Sequence, residues 1–247
     1  MESHPKIKGE PKSEKDIQDY VARWYKIRYS GTGFLYHARI VTEMLEGIKF
    51  KDGRSSDKVL DVGCGNGFLS QLYPNFDIIG VDISDGMLAH NPYKWVKGSA
   101  ENIPFPDNTF DFVVCRSLLH HLENPLVGLK EMYRVLKPGG KFVCWDPNAA
   151  LLATLFRKLF QGTDRFSHLH HSFNDSELLA LIESAGFKVE SKKYIGFLAY
   201  PLCGFPDIYN FKLPLWLGKI LIRLDDFIGK TFLKRLAWSL MVRAIKR

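Results

Sequence analysis

The stretch VLDVGCGNGFLS, Val59 to Ser70, places three glycines within five residues directly behind a short apolar run. The run is rich in β-formers and the residues from Phe68 can start a helix, so the glycines mark a strand-to-helix turn. Gly63 and Gly65 let the backbone turn tightly and approach a ligand with no Cβ in the way. A dinucleotide fingerprint would place its third glycine three residues after the second, and this chain has Phe68 there. Asp61, two residues ahead of the first glycine, would repel a pyrophosphate but suits a ligand with a cationic amino-acid group. Asp82 ends the next apolar run, where its two oxygens can take a ribose diol.

Working outward, the chain alternates strands and helices. FDIIGVDIS is a second strand, Ser84 to His90 a helix and KWVKGS a third strand. FDFVVCRS is a fourth, PLVGLKEMYRVLKPGG a helix stopped at Pro138-Gly139-Gly140, and KFVCWD a fifth strand. NDSELLALIESAGF carries Asn174 or Asp175 as N-cap, Glu177 in the first turn and Gly186 at the stop. FKVESKKYIGFLA and WSLMVRAIKR read as two more strands. Ahead of the glycines, Ile17 to Tyr29 and Phe34 to Ile48 form two amphipathic helices hinged at Ser30-Gly31-Thr32-Gly33. Such alternation implies a mostly parallel sheet covered on both faces.

Composition is that of a globular protein, with 46% hydrophobic and 25% charged residues in a chain of 247. Cys64, Cys115, Cys144 and Cys203 form no CxxC pair, so a reduced cytoplasmic compartment is expected. The polar N-terminus has no apolar core of a secretory signal. LPLWLGKILIRL is too short and too charged to span a membrane. The net charge of +7 is uneven: Phe187 to Arg247 carries twelve Lys/Arg against four Asp/Glu.

Together VLDVGCGNG, GVDIS, GSAENIPFPDNTFDFVV and RVLKPGG, in this order and spacing, resemble the class I S-adenosylmethionine-dependent methyltransferases, particularly the type 11 group. The resemblance runs from about Lys58 to Asp146 and fades at both ends. It implies an α/β, Rossmann-like, seven-stranded sheet with an N-terminal helical cap and a helical insertion near the C-terminus. The expected organisation is a flexible stretch over 1–16 and one domain over 17–247. Within that domain a cap covers 17–50, a core 58–200, an insertion 201–236 and a last strand 237–247. The cofactor would be S-adenosyl-L-methionine. Asp61, Gly63, Cys64, Gly65, Asn66 and Gly67 would cradle its methionine part, and Asp82 with Ile83 its ribose side. Ser99, Ala100 and Glu101 would flank the adenine, and Ser117 would line the methyl-donating side.

Methyl transfer from a sulfonium is one in-line displacement, so alignment alone can supply about 7–11 kcal/mol of the barrier. A base helps only where the acceptor must lose a proton. LLHHLENP puts His120 and His121 just after strand four, and the resemblance favours His121 as that base; both could equally be helix-start histidines with structural hydrogen bonds. His168, His170 and His171 have no carboxylate at ligand spacing, so no metal site is expected. WDPN, Trp145 to Asn148, superficially matches the (D/N)PP(Y/W) signature of amino methyltransferases, which follows strand four. Here it ends strand five, so the match is false; Asp146 then reads as a strand-ending turn acid or as a group that reaches the acceptor.

Substrate choice is expected in the insertion, where Leu213, Trp216, Leu217 and Ile220 mix with Lys219 and Arg223. These helices either pack on the sheet or form a basic amphipathic lid that covers an apolar acceptor or rests on anionic lipid at the inner face of a membrane. Trp24, Tyr25, Tyr29 and Tyr36 would close the other side of the pocket. The favoured reading is methyl transfer to oxygen or carbon of a small, hydrophobic or lipid-like acceptor. The alternatives are an RNA (tRNA) methyltransferase and a non-catalytic S-adenosylmethionine-binding protein. Against nucleic acid, the basic residues alternate with aliphatics and form no polar basic face. Oligomeric state is not readable.

Overall fold

The structure, a computed structural model, describes residues 14–22, 28–48, 50–51, 54–149, 173–204 and 213–247. Seven strands form the central sheet: β1 Lys58–Val62, β2 Asp77–Asp82, β3 Trp95–Lys97, β4 Phe110–Arg116, β5 Leu136–Pro147, β6 Phe187–Ile195 and β7 Ser239–Lys246. Their order is β3-β2-β1-β4-β5-β7-β6, with β7 antiparallel to both neighbours and the pairs from β3 to β5 parallel. Strand order therefore reverses between β1 and β4. In an open α/β sheet a ligand crevice lies at that reversal, outside the carboxyl ends of the strands.

The helices are α1 Glu14–Val21, α2 Gly31–Met44, α3 Phe68–Leu72, α4 Asp85–Leu88, α5 Pro125–Val135, α6 Asp175–Ser184, α7 Ala199–Cys203 and α8 Leu215–Ile228. Side chains of successive strand residues point to opposite faces, and the two cores follow from that alternation. Leu60, Val113, Cys115, Phe142 and Cys144 pack on one face with Leu129 and Met132 of α5 and Leu178 and Ile182 of α6. Val59, Phe112, Val114, Val143 and Trp145 pack on the other with Tyr36, Ile40 and Met44 of α2 and Phe68 of α3. The α6 start is a capping box: Asn174 accepts from the Glu177 N–H and Glu177 from the Asn174 N–H. Both oxygens satisfy helix-end donors that would otherwise have no partner.

Several expected boundaries move. Residues 14–16 belong to a helix instead of a flexible stretch. The hinge expected over Ser30 to Gly33 narrows to Ser30, the extended N-cap, and Gly31 to Gly33 form the first turn of α2. Helix α5 ends at Val135, three residues short of the proline, since its Leu136 C-cap is already extended and opens β5. A register shift between Phe110 and Phe112 then absorbs Pro138 to Gly140, with Gly139 at φ +73°. Strand β6 stops at Ile195, so Phe197 to Ala199 lead into α7 instead. The expected insertion does separate β6 from β7, as α7, α8 and a 3-10 turn at Phe232–Leu236. His168, His170 and His171, Trp24, Tyr25 and residues 205–212 lie outside the described residues.

Candidate active site

The glycine turn leaves β1 at the reversal point. Gly63 and Cys64 donate their N–H groups to Val81 O of β2, at 2.8 and 3.1 Å, which anchors the loop to the neighbouring strand. The three glycines then do different things. A Cβ on Gly67 (φ +79°) would lie 2.4 Å from Asn91 Oδ1, and one on Gly63 (φ +74°) 3.0 Å from Leu118 Cδ1. Gly65 (φ +52°) has nothing closer than Met87 Sδ at 3.9 Å. Gly67 is therefore required by the protein's own packing and Gly63 is favoured by its left-handed backbone with a tight Leu118 contact, whereas Gly65 has open space beside it that a ligand can fill.

Asp82, at the carboxyl end of β2, holds this geometry. Its Oδ2 accepts the Gly65 N–H at 2.8 Å and its Oδ1 the Ser84 N–H at 2.9 Å. Each oxygen keeps lone-pair capacity for a hydroxyl donor. Burial raises the Asp82 pKa, against the lowering effect of those two N–H donors. Asp61 is 5% exposed. Burial pushes its carboxyl up to about 7, with the Asp82 charge adding and the Arg116 guanidinium opposing. A buried acid poised this way gains from any cation that arrives beside it. Asp61 and the open side of Gly65 thus fit a ligand with an ammonium group. Cys64 turns inward: a Cβ on Gly80 would lie 2.5 Å from its Sγ, and burial drives its thiol pKa up. Asn66 is half-buried within the turn.

Ile83 follows Asp82 and is 45% exposed, an apolar surface beside that acid. Ser99 Oγ accepts the Glu101 N–H at 3.1 Å, which shapes the turn after β3, and Ala100 is buried. Glu101 is already engaged, since its Oε1 takes the Asn124 N–H at 2.7 Å at the start of α5. Ser117 is one of two non-glycine residues with positive φ among those described, at +51°, and its N–H bonds to Trp145 O at 2.7 Å. That strained residue turns the chain from β4 into the histidine segment.

His120 and His121 are not equivalent. His120 is buried, with Nδ1 2.5 Å from Asp146 Oδ1. Asp146 is fully buried and also accepts the N–H groups of Leu118, Leu119 and His120, at 3.2, 3.1 and 3.2 Å. It is therefore neither an ordinary turn acid nor open to an acceptor. His121 is half-buried, and its ring lies against that of His120 at 3.9 Å between centroids.

Three residues that the sequence did not single out, together with Asp146, complete the site. Asn91 Nδ2 donates to Gly65 O at 3.0 Å, riveting the loop from beyond α4. Asp146 fixes the histidine turn. Arg116 donates to Tyr29 Oη at 2.8 Å and lies over the rings of Tyr29 and Phe68, themselves stacked at 4.1 Å. Asp19 of α1 accepts from Ser84 Oγ and, at 2.7 Å, from the Gly86 N–H, which seats the N-terminal helix beside Asp82. Among the described residues no group of three His, Cys, Asp or Glu is placed to hold a metal ion.

A family model described as a methyltransferase domain matches residues 60–144. The demethylmenaquinone methyltransferase of Geobacillus sp. (strain WCH70) is 31% identical over 213 residues, covering 72% of this chain and 90% of the relative. The enzyme of the same name from Symbiobacterium thermophilum is 44% identical over 109 residues, covering 38% of this chain and 43% of that one. Among solved structures, a phosphoethanolamine N-methyltransferase 2 from Haemonchus contortus, in complex with phosphomonomethylethanolamine and S-adenosylhomocysteine, shares the fold at a TM-score of 0.65 and 18% identity. That match covers 95% of this chain and 60% of the other.

Proposed function

The chain belongs to the class I S-adenosylmethionine-dependent methyltransferases, and on that premise we propose that it methylates a hydrophobic, quinone-like acceptor at oxygen or carbon. The observation that carries this reading is the similarity across 90% of a relative named for its action on demethylmenaquinone. Tyr29, half-buried with its ring stacked on the fully buried Phe68, is the aromatic side chain near the glycine turn that would meet an aromatic acceptor.

When bound, S-adenosylmethionine supplies a methyl group already activated for in-line displacement. Asp61 takes the ammonium of its methionine part and the open side of Gly65 gives it room. Asp82 accepts from the ribose hydroxyls while keeping Gly65 and Ser84 in place. Ile83 offers an apolar face to the adenine, beside the turn Ser99, Ala100 and Glu101. His121 removes a hydroxyl proton from the acceptor. The resulting phenolate is nucleophilic at its oxygen and at the adjacent ring carbon, which leaves either atom as the site of methylation. His120 takes no proton from the acceptor in this scheme. A carboxylate can only accept, so Asp146 fixes the hydrogen on His120 Nδ1, and the pair holds the turn that presents His121.

The test is a panel of acceptors with methyl-labelled S-adenosylmethionine: a demethylated naphthoquinol, a phosphorylated ethanolamine and an unmodified tRNA. Label is expected in the quinol. Transfer only to the amine or the tRNA would overturn the proposal.

A further inference from the structure

Helix α8 has two unlike faces. Gly218, Leu221 and Asp225 are buried against the fold, where a Cβ on Gly218 would lie 2.6 Å from Thr32 Cγ2. The opposite face carries Trp216, Ile220, Leu224 and Phe227, spaced as one helical stripe and 44% to 69% exposed. The turn that follows the helix adds Phe232, 87% exposed, and Leu236. Large apolar side chains in one contiguous exposed row mark a contact surface.

The charges on this surface are sorted. Lys219, Arg223, Lys230, Lys234 and Arg235 are all exposed between or beside the apolar residues. Both acids of α8 are engaged by the fold. Asp225 accepts the N–H groups of Phe197, Leu198 and Ala199, at 2.9, 2.8 and 3.1 Å, and so caps α7. Asp226 is paired with Arg39 of α2. From Leu215 to Leu236 the outward face therefore presents bases and hydrocarbon without an unpaired acid. A polyanion such as RNA would be met by a polar basic face, whereas aromatic and aliphatic residues interleaved with bases match the interface of an anionic bilayer.

We propose that α8 and the turn at Phe232–Leu236 form a peripheral docking surface for anionic lipid. Trp216, Phe227 and Phe232 enter the headgroup region and the five bases meet the lipid phosphates. No helix among the described residues is long and apolar enough to cross a membrane, so attachment is by this face alone. The helix that carries the surface packs beside the site through its other face: Gly218 abuts Thr32, three residues beyond Tyr29, whose ring stacks on Phe68 next to the glycine turn. The docking itself does not require the quinone reading.

The test is co-sedimentation of the full chain with vesicles of equal parts phosphatidylcholine and phosphatidylglycerol, and of phosphatidylcholine alone, at low and high salt. Because sedimentation reads no methyl transfer, its failure leaves the acceptor proposal standing, and the reverse. Binding is expected to the anionic vesicles at low salt, and to fall as salt screens the charges. Each base near an anionic surface is worth about fivefold in affinity, so Lys219→Glu with Arg223→Glu should weaken binding by about twentyfold or more. Trp216→Ser, Phe227→Ser and Phe232→Ser together should abolish it, with cooperative unfolding retained because all three side chains are exposed. Absence of binding at low salt, equal binding to neutral vesicles, or binding unchanged in both variants would overturn the proposal. So would a wild-type dimer that the three serine substitutions dissociate, or RNA binding that they leave untouched.

Discussion

Asp146 Oδ1 lies 2.5 Å from His120 Nδ1, and the same carboxylate collects three consecutive N–H groups from Leu118 to His120. One fully buried acid at the end of β5 thereby fixes the backbone that follows β4. Replacing it by asparagine turns an amide NH2 toward groups that are themselves donors. We expect Asp146→Asn to lose about 2–3 kcal/mol of stability, read as a lower denaturant midpoint at unchanged slope. Turnover should fall as well, since His121 rides on that turn. A midpoint equal to that of the wild type would show that the carboxylate is not the anchor.

Asp61 should make cofactor binding pH-dependent. Its carboxyl titrates at about 7 in the free protein, and only the ionised form attracts an ammonium group. Affinity for S-adenosylmethionine should therefore rise from pH 6 to pH 8, and binding near pH 7 should release a proton. In Asp61→Asn the affinity should be weaker and flat over that range. Calorimetry in buffers of different ionisation enthalpy measures both effects.

The same acid should act on stability in the opposite sense. Its folded pKa is above the unfolded value of 3.8, so the native state holds the proton more tightly. The stability this contributes is complete below the unfolded pKa and is lost as pH rises through about 7. Above that point Asp61→Asn should be the more stable protein without cofactor, by on the order of 4 kcal/mol at most. Thermal unfolding of both proteins at pH 5 and pH 8 checks the sign.

Gly65 and Gly67 should separate folding from binding. Both have positive φ, so alanine costs about 1–2 kcal/mol of strain at either. Gly67→Ala also drives its Cβ to 2.4 Å from Asn91 Oδ1, so it should unfold at markedly lower temperature. Gly65→Ala meets no such neighbour and should fold, yet lose cofactor affinity because its methyl enters the ligand's space. Equal losses of stability in the two variants would argue against this division.

Much of the fold was legible because its signals are local. Strand alternation, the glycine turn and the capping box of Asn174 and Glu177 each lie within a few residues. Asp61, Gly65, Asp82 and the histidine turn come together because each lies at or just beyond the carboxyl end of a parallel strand, a consequence of topology. The supports did not show. Asp146 and His120 are 26 residues apart, Asn91 and Gly65 are 26 apart, and Asp19 and Ser84 are 65 apart. Such pairs are set by register and packing, which composition does not encode. The helix boundary at Val135 was overrun because Lys137 to Gly140 hold a bulge that only the β4–β5 pairing reveals. On α8 hydropathy could not tell a buried face from an exposed one; the structure shows Asp225 buried beneath α7 and the apolar stripe outside.

The most direct measurement is single-turnover methyl transfer to a demethylated naphthoquinol, with the wild type and with His121→Ala, using deuterium-labelled S-adenosylmethionine and mass spectrometry of the product. The account predicts a labelled methyl on the quinol oxygen or its adjacent ring carbon. It predicts a rate about 10²–10⁴-fold lower in His121→Ala, with S-adenosylmethionine affinity little changed. No label in the quinol, or a His121→Ala rate close to that of the wild type, would contradict it.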